Sequence, residues 1–511
     1  MTNCISIGGE SLTLERLLEM EAQDAPLKLD AGARSRMQQS AACLARAIAG
    51  GQLVYGVNTG SGPLAGHCIE PDQVSELQRR ILVSNAAGTG SPLPSRIVRR
   101  AMLLKVMTLA RGASGVRPEL AEALLALLNA GVHPMVPAKG SCGASGDLAP
   151  LAHIGVALLG LGDVMHQGQR VRAAVALEAI GMAPLVPAAK EGLSLVNGTQ
   201  VSTALAIEGL FRTRQCLSAA LCAAALSVEA GSGNAAAFDE RIHAWRNQPG
   251  QQDVATTLRG LLDGSDLQDP TAPSRVQDPY CLRCLPQVLG AALDQIRHST
   301  GILEQEINAI TDNPLIDLNR EQILYGGNFH AQPIGLAADG LALAIAEIGS
   351  MAERRIAFLV DGAMSGLPDF LAGPGGLNSG FMVAQVTAAS LASENKHLAA
   401  PASTDSIPTA ANQEDYVSMA TYAARRLDDM TANLRDILAI EMLVACQGLD
   451  YRRPGRSSGT VEGIAATLRA EVPALDADRF MAPDMAAAAG LIARDAFHAF
   501  APSASLLADP A

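Results

Sequence analysis

The chain has 511 residues, enough for several domains and a large buried core. With 49% apolar and 17% charged residues it is neither disordered nor heavily solvated, and a formal charge of −13 without any basic block argues against nucleic acid or an anionic membrane as partner. Aromatics are only 3%, so the apolar content is mostly Ala and aliphatic side chains, which suits closely packed helices better than sandwiches or barrels.

The first residues, MTNCISIGGESLTLERLL, lack a basic stretch followed by an apolar one, so no signal peptide is expected. No run of about 18 apolar residues free of charge marks a membrane span. The first strand signal is short, Gln52–Tyr55. Residues 97–130 read as helix, IVRRAMLLKVMTLAR, then a glycine break, then Glu119 to Ala130 after Pro118. Residues 202–229 are rich in Ala and Leu and read as a buried helix. A second short strand signal is Gln322–Tyr325. Over 336–361, Leu341, Ile345, Ile348, Ala352, Ile356 and Leu359 recur at steps of three and four, with Glu347, Glu353, Arg354 and Arg355 as polar positions. A further long helix is expected from about 416 to 446, with Leu427, Met430, Leu434 and Leu438 on one stripe.

Turn-forming residues crowd into four places: YGVNTGSGPLAG (55–66), KGSCGASGDLAP (139–150), EGLSLVNGTQ (191–200) and YGGNFHAQP (325–333). Glycine-rich loops between long helices are where functional groups tend to sit. The nine histidines form no HxH, HExxH or HxxxH pair, so no metal is expected. Cys281 and Cys284 form a lone CxxC and read as packing thiols beside Arg283. Nine dispersed cysteines in a long chain read as reduced thiols and a cytoplasmic location. No glycine loop has the phosphate-loop spacing or follows a clear strand in a βαβ unit, so no nucleotide is expected.

The segment GSCGASGDLAPLAH (140–153) is a run of small residues in which backbone can approach backbone. On composition alone it is a tight interhelical turn capped by Asp147. It stands with LVYGVNTGSGPLA (53–65), LQRRILVSNAAG (77–88), KEGLSLVNGTQ (190–200), FDERIHAWR (238–246), RVQDPYCLRCLPQV (275–288), EINAITDNPL (306–315), YGGNFHAQP (325–333), NSGFMVAQVTAA (378–389) and PTAANQEDYVSMA (408–420). In these motifs, spread in order over nearly the whole chain, the sequence resembles the aromatic amino acid ammonia-lyases and their aminomutase relatives.

The resemblance implies an all-α fold, a large helical protein with a central bundle of long helices. Residues 1–200 would carry the base loop and the Ala-Ser-Gly segment, and 201–511 the long-helix bundle and the C-terminal helical part. It further implies a homotetramer whose active sites combine loops from several subunits, acting on a small amino acid. Eliminating ammonia requires loss of a weakly acidic β-proton and a poor leaving group, for which an electrophile is useful. In the family that electrophile is 4-methylidene-imidazol-5-one, formed autocatalytically, here from Ala144, Ser145 and Gly146 with no external cofactor. The Gly146 nitrogen would attack the Ala144 carbonyl, and Ser145 would lose its hydroxyl. By the same correspondence Tyr55 is the base, Tyr280 a second phenol beside the ring, and Arg283 a fork for the substrate carboxylate. Asn197 contacts the prosthetic group or the substrate amine, while Gln277 and Phe329 line the site.

Two places carry the family's selectivity. Ser-His at positions 84 and 85 accompanies histidine, His-Leu tyrosine and Phe-Leu phenylalanine; this chain has Ser84-Asn85, a departure. Glu414 resembles the histidine branch. A carboxylate there can accept from an imidazole N–H, whereas beside a phenyl ring it would be buried without a partner. The expected activity is elimination of ammonia from L-histidine to trans-urocanate. The alternative is an ammonia-lyase or 2,3-aminomutase acting on another polar aryl amino acid such as L-tyrosine.

Overall fold

The computed structural model describes residues 4–23, 25–268, 275–373, 376–502 and 506. Helices dominate, and among the described residues the strands form two- and three-stranded sheets. The chain divides into two compact units. One comprises Met1–Glu208, Gly301–Ala338 and Pro401–Arg425, the other Gly209–Thr300, Asp339–Ala400 and Arg426–Ala511.

The helical stripes appear where their periodicity places them. The 97–130 stretch forms Ser95–Ala110 and Pro118–Asn129, the second opened by a proline at its first position. The Ala/Leu-rich stretch forms Gln200–Ala230, and the 336–361 stripe forms Gln332–Val360. The latter is long and apolar enough to cross a membrane by length and composition alone, and 72% of its most apolar window is buried inside the protein.

Two expectations are corrected. Residues 416–446 do not form one helix: the helices are Ala420–Arg425 and Leu427–Asp450. Residues 415–419 stay irregular because tertiary bonds claim their backbone. The Met419 N–H donates to Cys142 O at 2.9 Å, and Val417 N–H to Ser406 Oγ at 2.7 Å. Residues Gln52–Tyr55 are not a strand. Asn58 takes the place of a strand partner, its Oδ1 accepting from Val54 N at 2.7 Å and its Nδ2 donating to Gln52 O at 3.0 Å. The second strand signal forms Gln322–Leu324, paired antiparallel with Leu315–Asp317.

In the second unit, Leu427–Asp450 packs against Met382–Leu398 and Ala482–Ala493. Its Glu441 is fully buried and is met by the equally buried Arg355, Nε to Oε1 at 2.5 Å and Nη2 to Oε2 at 2.8 Å. Ser227 Oγ adds a third bond to Oε1 at 2.7 Å. A buried charge is tolerated only when it is paired, and with Ser227 the pair registers three long helices against one another. In the first unit, Val74–Asn85, Leu148–Leu158 and Glu191–Val196 pack mutually. They carry the loops that matter below.

Candidate active site

The Ala144-Ser145-Gly146 segment is a compressed turn. Ser145 and Gly146 are both left-handed, at φ 50° and 80°, a conformation that costs a serine free energy and that the surroundings must impose. The Gly146 N–H faces Gly143 O at 3.3 Å across the turn. A Cβ on Gly146 would lie 2.2 Å from Gly198 O, so only glycine admits the neighbouring strand of backbone. That neighbour is fixed in turn, Asp147 N donating to Gly198 O at 2.7 Å.

Composition alone would make Asp147 the cap of its own turn. It heads the Leu148–Leu158 helix but makes no side-chain cap there. Its carboxylate instead serves the start of Gln200–Ala230, accepting from Val201 N at 2.9 Å, Ser202 N at 2.7 Å and Ser202 Oγ at 2.9 Å. Thr421 Oγ1 donates to the other oxygen at 2.7 Å. Burial pushes this carboxyl's pKa up, and the four donors oppose that shift. Asp147→Ala would leave those donors unmet in the interior. It is expected to destabilise the chain by about 2–4 kcal/mol, read as a lower midpoint in denaturant titration.

Glu414 reaches this turn. It sits beyond a bend in which Ala410, Ala411 and Asn412 are all left-handed, at φ 48°, 54° and 67°. The bend is closed by Thr409 N to Glu414 O at 2.9 Å. The half-buried carboxylate accepts from Ser145 Oγ at 2.9 Å and from Thr409 Oγ1 at 3.0 Å. Glu414 and the central residue of the Ala-Ser-Gly segment are therefore in direct contact.

Tyr55 is half-buried, and its Oη accepts from Gly62 N at 2.8 Å. The Gly62–Leu64 turn lies against the Ala410–Asn412 turn, which brings the tyrosine loop to the Glu414 loop. Gln78 anchors the tyrosine loop from behind, donating to Gly56 O at 2.9 Å and accepting from Leu193 N at 3.0 Å.

Asn197 is buried, and its Nδ2 donates to Asn313 O at 2.8 Å. Around it runs a buried polar network that the sequence reading missed. Lys190 Nζ meets Asp312 Oδ2 and Ser194 Oγ, both at 2.8 Å. Lys105 donates to the backbone oxygens of Ser194, at 3.0 Å, and of Asn197. Burial lowers the pKa of both lysines, that of Lys105 to about 7. The signal for Lys105 was a single lysine inside the apolar run MLLKVM.

The loop holding Phe329 touches each of these groups. Tyr325 Oη donates to Leu53 O at 3.4 Å, Gly326 N to Asn313 Oδ1 at 2.8 Å, and His330 Nε2 pairs with Tyr416 O at 3.1 Å. Phe329 itself is half-buried. Ser84 and Asn85 end the Val74–Asn85 helix and fold back on it, Ser84 Oγ to Ile81 O at 3.3 Å and Asn85 Nδ2 to the same oxygen at 2.8 Å.

The remaining residues form a group in the second unit. Gln277 and Tyr280 are exposed. The Arg283 guanidinium lies over the Tyr280 ring, 4.5 Å from its centroid, and Nε donates to Asp278 O at 2.9 Å. Among the described residues Arg283 has no carboxylate partner, so its charge is not spent in a salt bridge.

The sequence matches the aromatic amino acid lyase family over residues 12–470. It is 53% identical over 504 residues to a histidine ammonia-lyase of Rhodospirillum rubrum, covering 98% of this chain and 97% of that protein. Its structure is similar to that of histidine ammonia-lyase from Trypanosoma cruzi, with a TM-score of 0.91 at 36% identity, covering 99% of this chain and 97% of the other. Tyrosine aminomutase from Streptomyces globisporus matches with a TM-score of 0.90 at 33% identity over 100% of both chains. With the Ala144-Ser145-Gly146 turn, its Glu414 contact and a match spanning most of the sequence, the chain belongs to the aromatic amino acid lyase family.

Proposed function

We propose that this protein is an ammonia-lyase that converts L-histidine to trans-urocanate and ammonia. The observation that carries the reading is the Glu414–Ser145 hydrogen bond, which sets an imidazole-compatible carboxylate on the Ala-Ser-Gly segment. Relatives at about half identity that bear the histidine ammonia-lyase name support it.

The compressed turn fits a 4-methylidene-imidazol-5-one made from Ala144, Ser145 and Gly146. Its left-handed residues turn the Gly146 N–H back across the turn toward Gly143 O, and Gly198 leaves no room for a side chain there. Once formed, that group supplies an electrophilic carbon that no ordinary side chain offers. The chain's own residues do the rest. Tyr55 Oη takes the β-proton as a phenolate, whose negative oxygen the Gly62 N–H meets before the transfer neutralises it. Arg283 holds the substrate carboxylate in a two-pronged bond, and Tyr280 keeps the guanidinium plane in place. Glu414 accepts the imidazole N–H. Asn197 orients the amine end, and Gln277 and Phe329 line the site. Exposed apolar side chains at Leu336, Leu343, Val383 and Val386 support burial between copies of the chain in a homotetramer with shared sites. The nine free thiols support a cytoplasmic location.

A panel of L-histidine, L-tyrosine and L-phenylalanine, followed by acrylate absorbance and free ammonia, tests the reading. Histidine should give urocanate with stoichiometric ammonia. A β-amino acid without free ammonia would instead indicate an aminomutase, an outcome to which the aminomutase likeness gives weight.

Asn85 is the departure within the site. One of its amide hydrogens is engaged by Ile81 O, which leaves a second donor and Oδ1, but the side chain cannot titrate as an imidazole does. Asn85→His is expected to raise kcat/KM for L-histidine by roughly 10-fold or more, the worth of one hydrogen bond to a charged partner. Glu414→Gln should lower it and shift relative preference toward uncharged aryl substrates. If neither wild type nor Asn85→His turns over histidine, the histidine assignment fails.

A further inference from the structure

The helix that leaves the Ala-Ser-Gly segment, Leu148–Leu158, carries a histidine to which the mechanism gives no role. His153 Nε2 accepts from the backbone N–H of Gly88 at 3.1 Å. Gly88 stands three residues after Asn85, in the turn that follows the selectivity pair. That turn is tight: Ala86 N donates to Leu82 O at 3.2 Å, and Ala87 N to Asn85 O at 2.8 Å. It lies directly on the imidazole, since a Cβ at Gly88 would be 3.2 Å from both His153 Nε2 and Pro137 Cβ.

Other contacts join the same two segments. Thr89–Pro92 pairs antiparallel with Pro137–Lys139, the strand leading into the 140–146 loop. Leu82 on the selectivity helix packs into the space above Gly155, where a Cβ would meet its Cδ2 at 2.5 Å. Backbone pairing and apolar packing set the general approach of the two helices. The His153 bond is the directional contact that fixes the turn itself. An acceptor Nε2 places the ring proton on Nδ1, so the imidazole acts in its neutral form. Burial holds its pKa below the ordinary imidazole value, which favours that form.

We infer that His153 is a positioning residue for substrate selection. Through Gly88 N it sets the Ser84-Asn85 turn at a fixed distance from Ala144-Ser145-Gly146. The inference rests on the proposed reading only in taking Ser84-Asn85 to face substrate.

The test compares His153→Leu and His153→Gln with wild type in the full-length chain. Leucine fills the space but cannot accept, and the Gln side-chain oxygen can. His153→Leu should raise KM for L-histidine about 10-fold with kcat within about 3-fold of wild type, and His153→Gln should recover most of that loss. Amide hydrogen exchange gives a readout independent of turnover: the 86–89 amides should exchange faster in the leucine variant and not in the glutamine variant. Unchanged KM and unchanged exchange in His153→Leu would overturn the proposal. So would a parallel fall in kcat and in protection along the whole chain, which marks a merely structural histidine. Wild type inactive on every amino acid of the panel would sink the proposed reaction, and exchange at 86–89 would then decide the His153 contact.

Discussion

Ser145→Ala is expected to abolish turnover while leaving the fold intact. In the proposed prosthetic group Ser145 is the residue whose hydroxyl leaves to give the exocyclic methylene, and alanine has none to lose. Among the described residues the hydroxyl's partner is Glu414, which keeps Thr409 as a second donor, so the variant strands no buried group. Removing it should therefore cost little stability. Loss of activity by roughly 10³-fold or more corresponds to about 4 kcal/mol of barrier, well above what a displaced loop would cause. Two measurements accompany the rate. Circular dichroism should overlay wild type. Intact mass should show wild type lighter than its sequence by two waters, one for ring closure and one for the serine hydroxyl, and the variant without the serine loss. A variant with near-wild-type turnover would remove the prosthetic-group assignment.

Tyr55→Phe should slow turnover by roughly 10²-fold or more, the usual worth of a positioned general base. The substitution removes only Oη and its bond with Gly62 N, while the loop keeps its anchors through Asn58, Thr59 and Gln78. The mass deficit of wild type should persist in this variant, which separates loss of the base from failure to mature. KM should change less than kcat, because the phenol is asked to act on the β-proton and not to hold the substrate. Undiminished activity would pass the role to Tyr280 or Glu414.

The long helices were legible because their signal is periodic and local. The stripe from Leu341 to Leu359 and the Ala/Leu run of 202–229 each appear as a continuous helix. What failed was decided by partners distant in sequence. Residues 415–419 look helical, but Cys142 and Ser406 take their amides. Val54 looks like strand until Asn58 supplies the bonds a neighbouring strand would have made. At the site, resemblance named residues one at a time and said nothing of which touch. The Glu414–Ser145 bond, the delivery of the Asp147 carboxylate to another helix, and the Lys105 and Lys190 network join segments 55 or more residues apart. No pattern within a window of sequence encodes such contacts. A lone lysine in an apolar run is the one local clue, because burying an ammonium demands acceptors that the surrounding helix cannot provide.

The bond between Thr421 and Asp147 spans 274 residues. The turn at Ala144-Ser145-Gly146 is squeezed by Gly198 on one side and braced through Asp147, Thr421 and Glu414 on the other. During biosynthesis the N-terminal third of the polypeptide emerges from the ribosome long before Glu414 and Thr421 exist. The strained shape of the turn therefore belongs to the finished chain and not to the nascent one. Whatever chemistry that shape promotes must wait until Glu414 and Thr421 have been made.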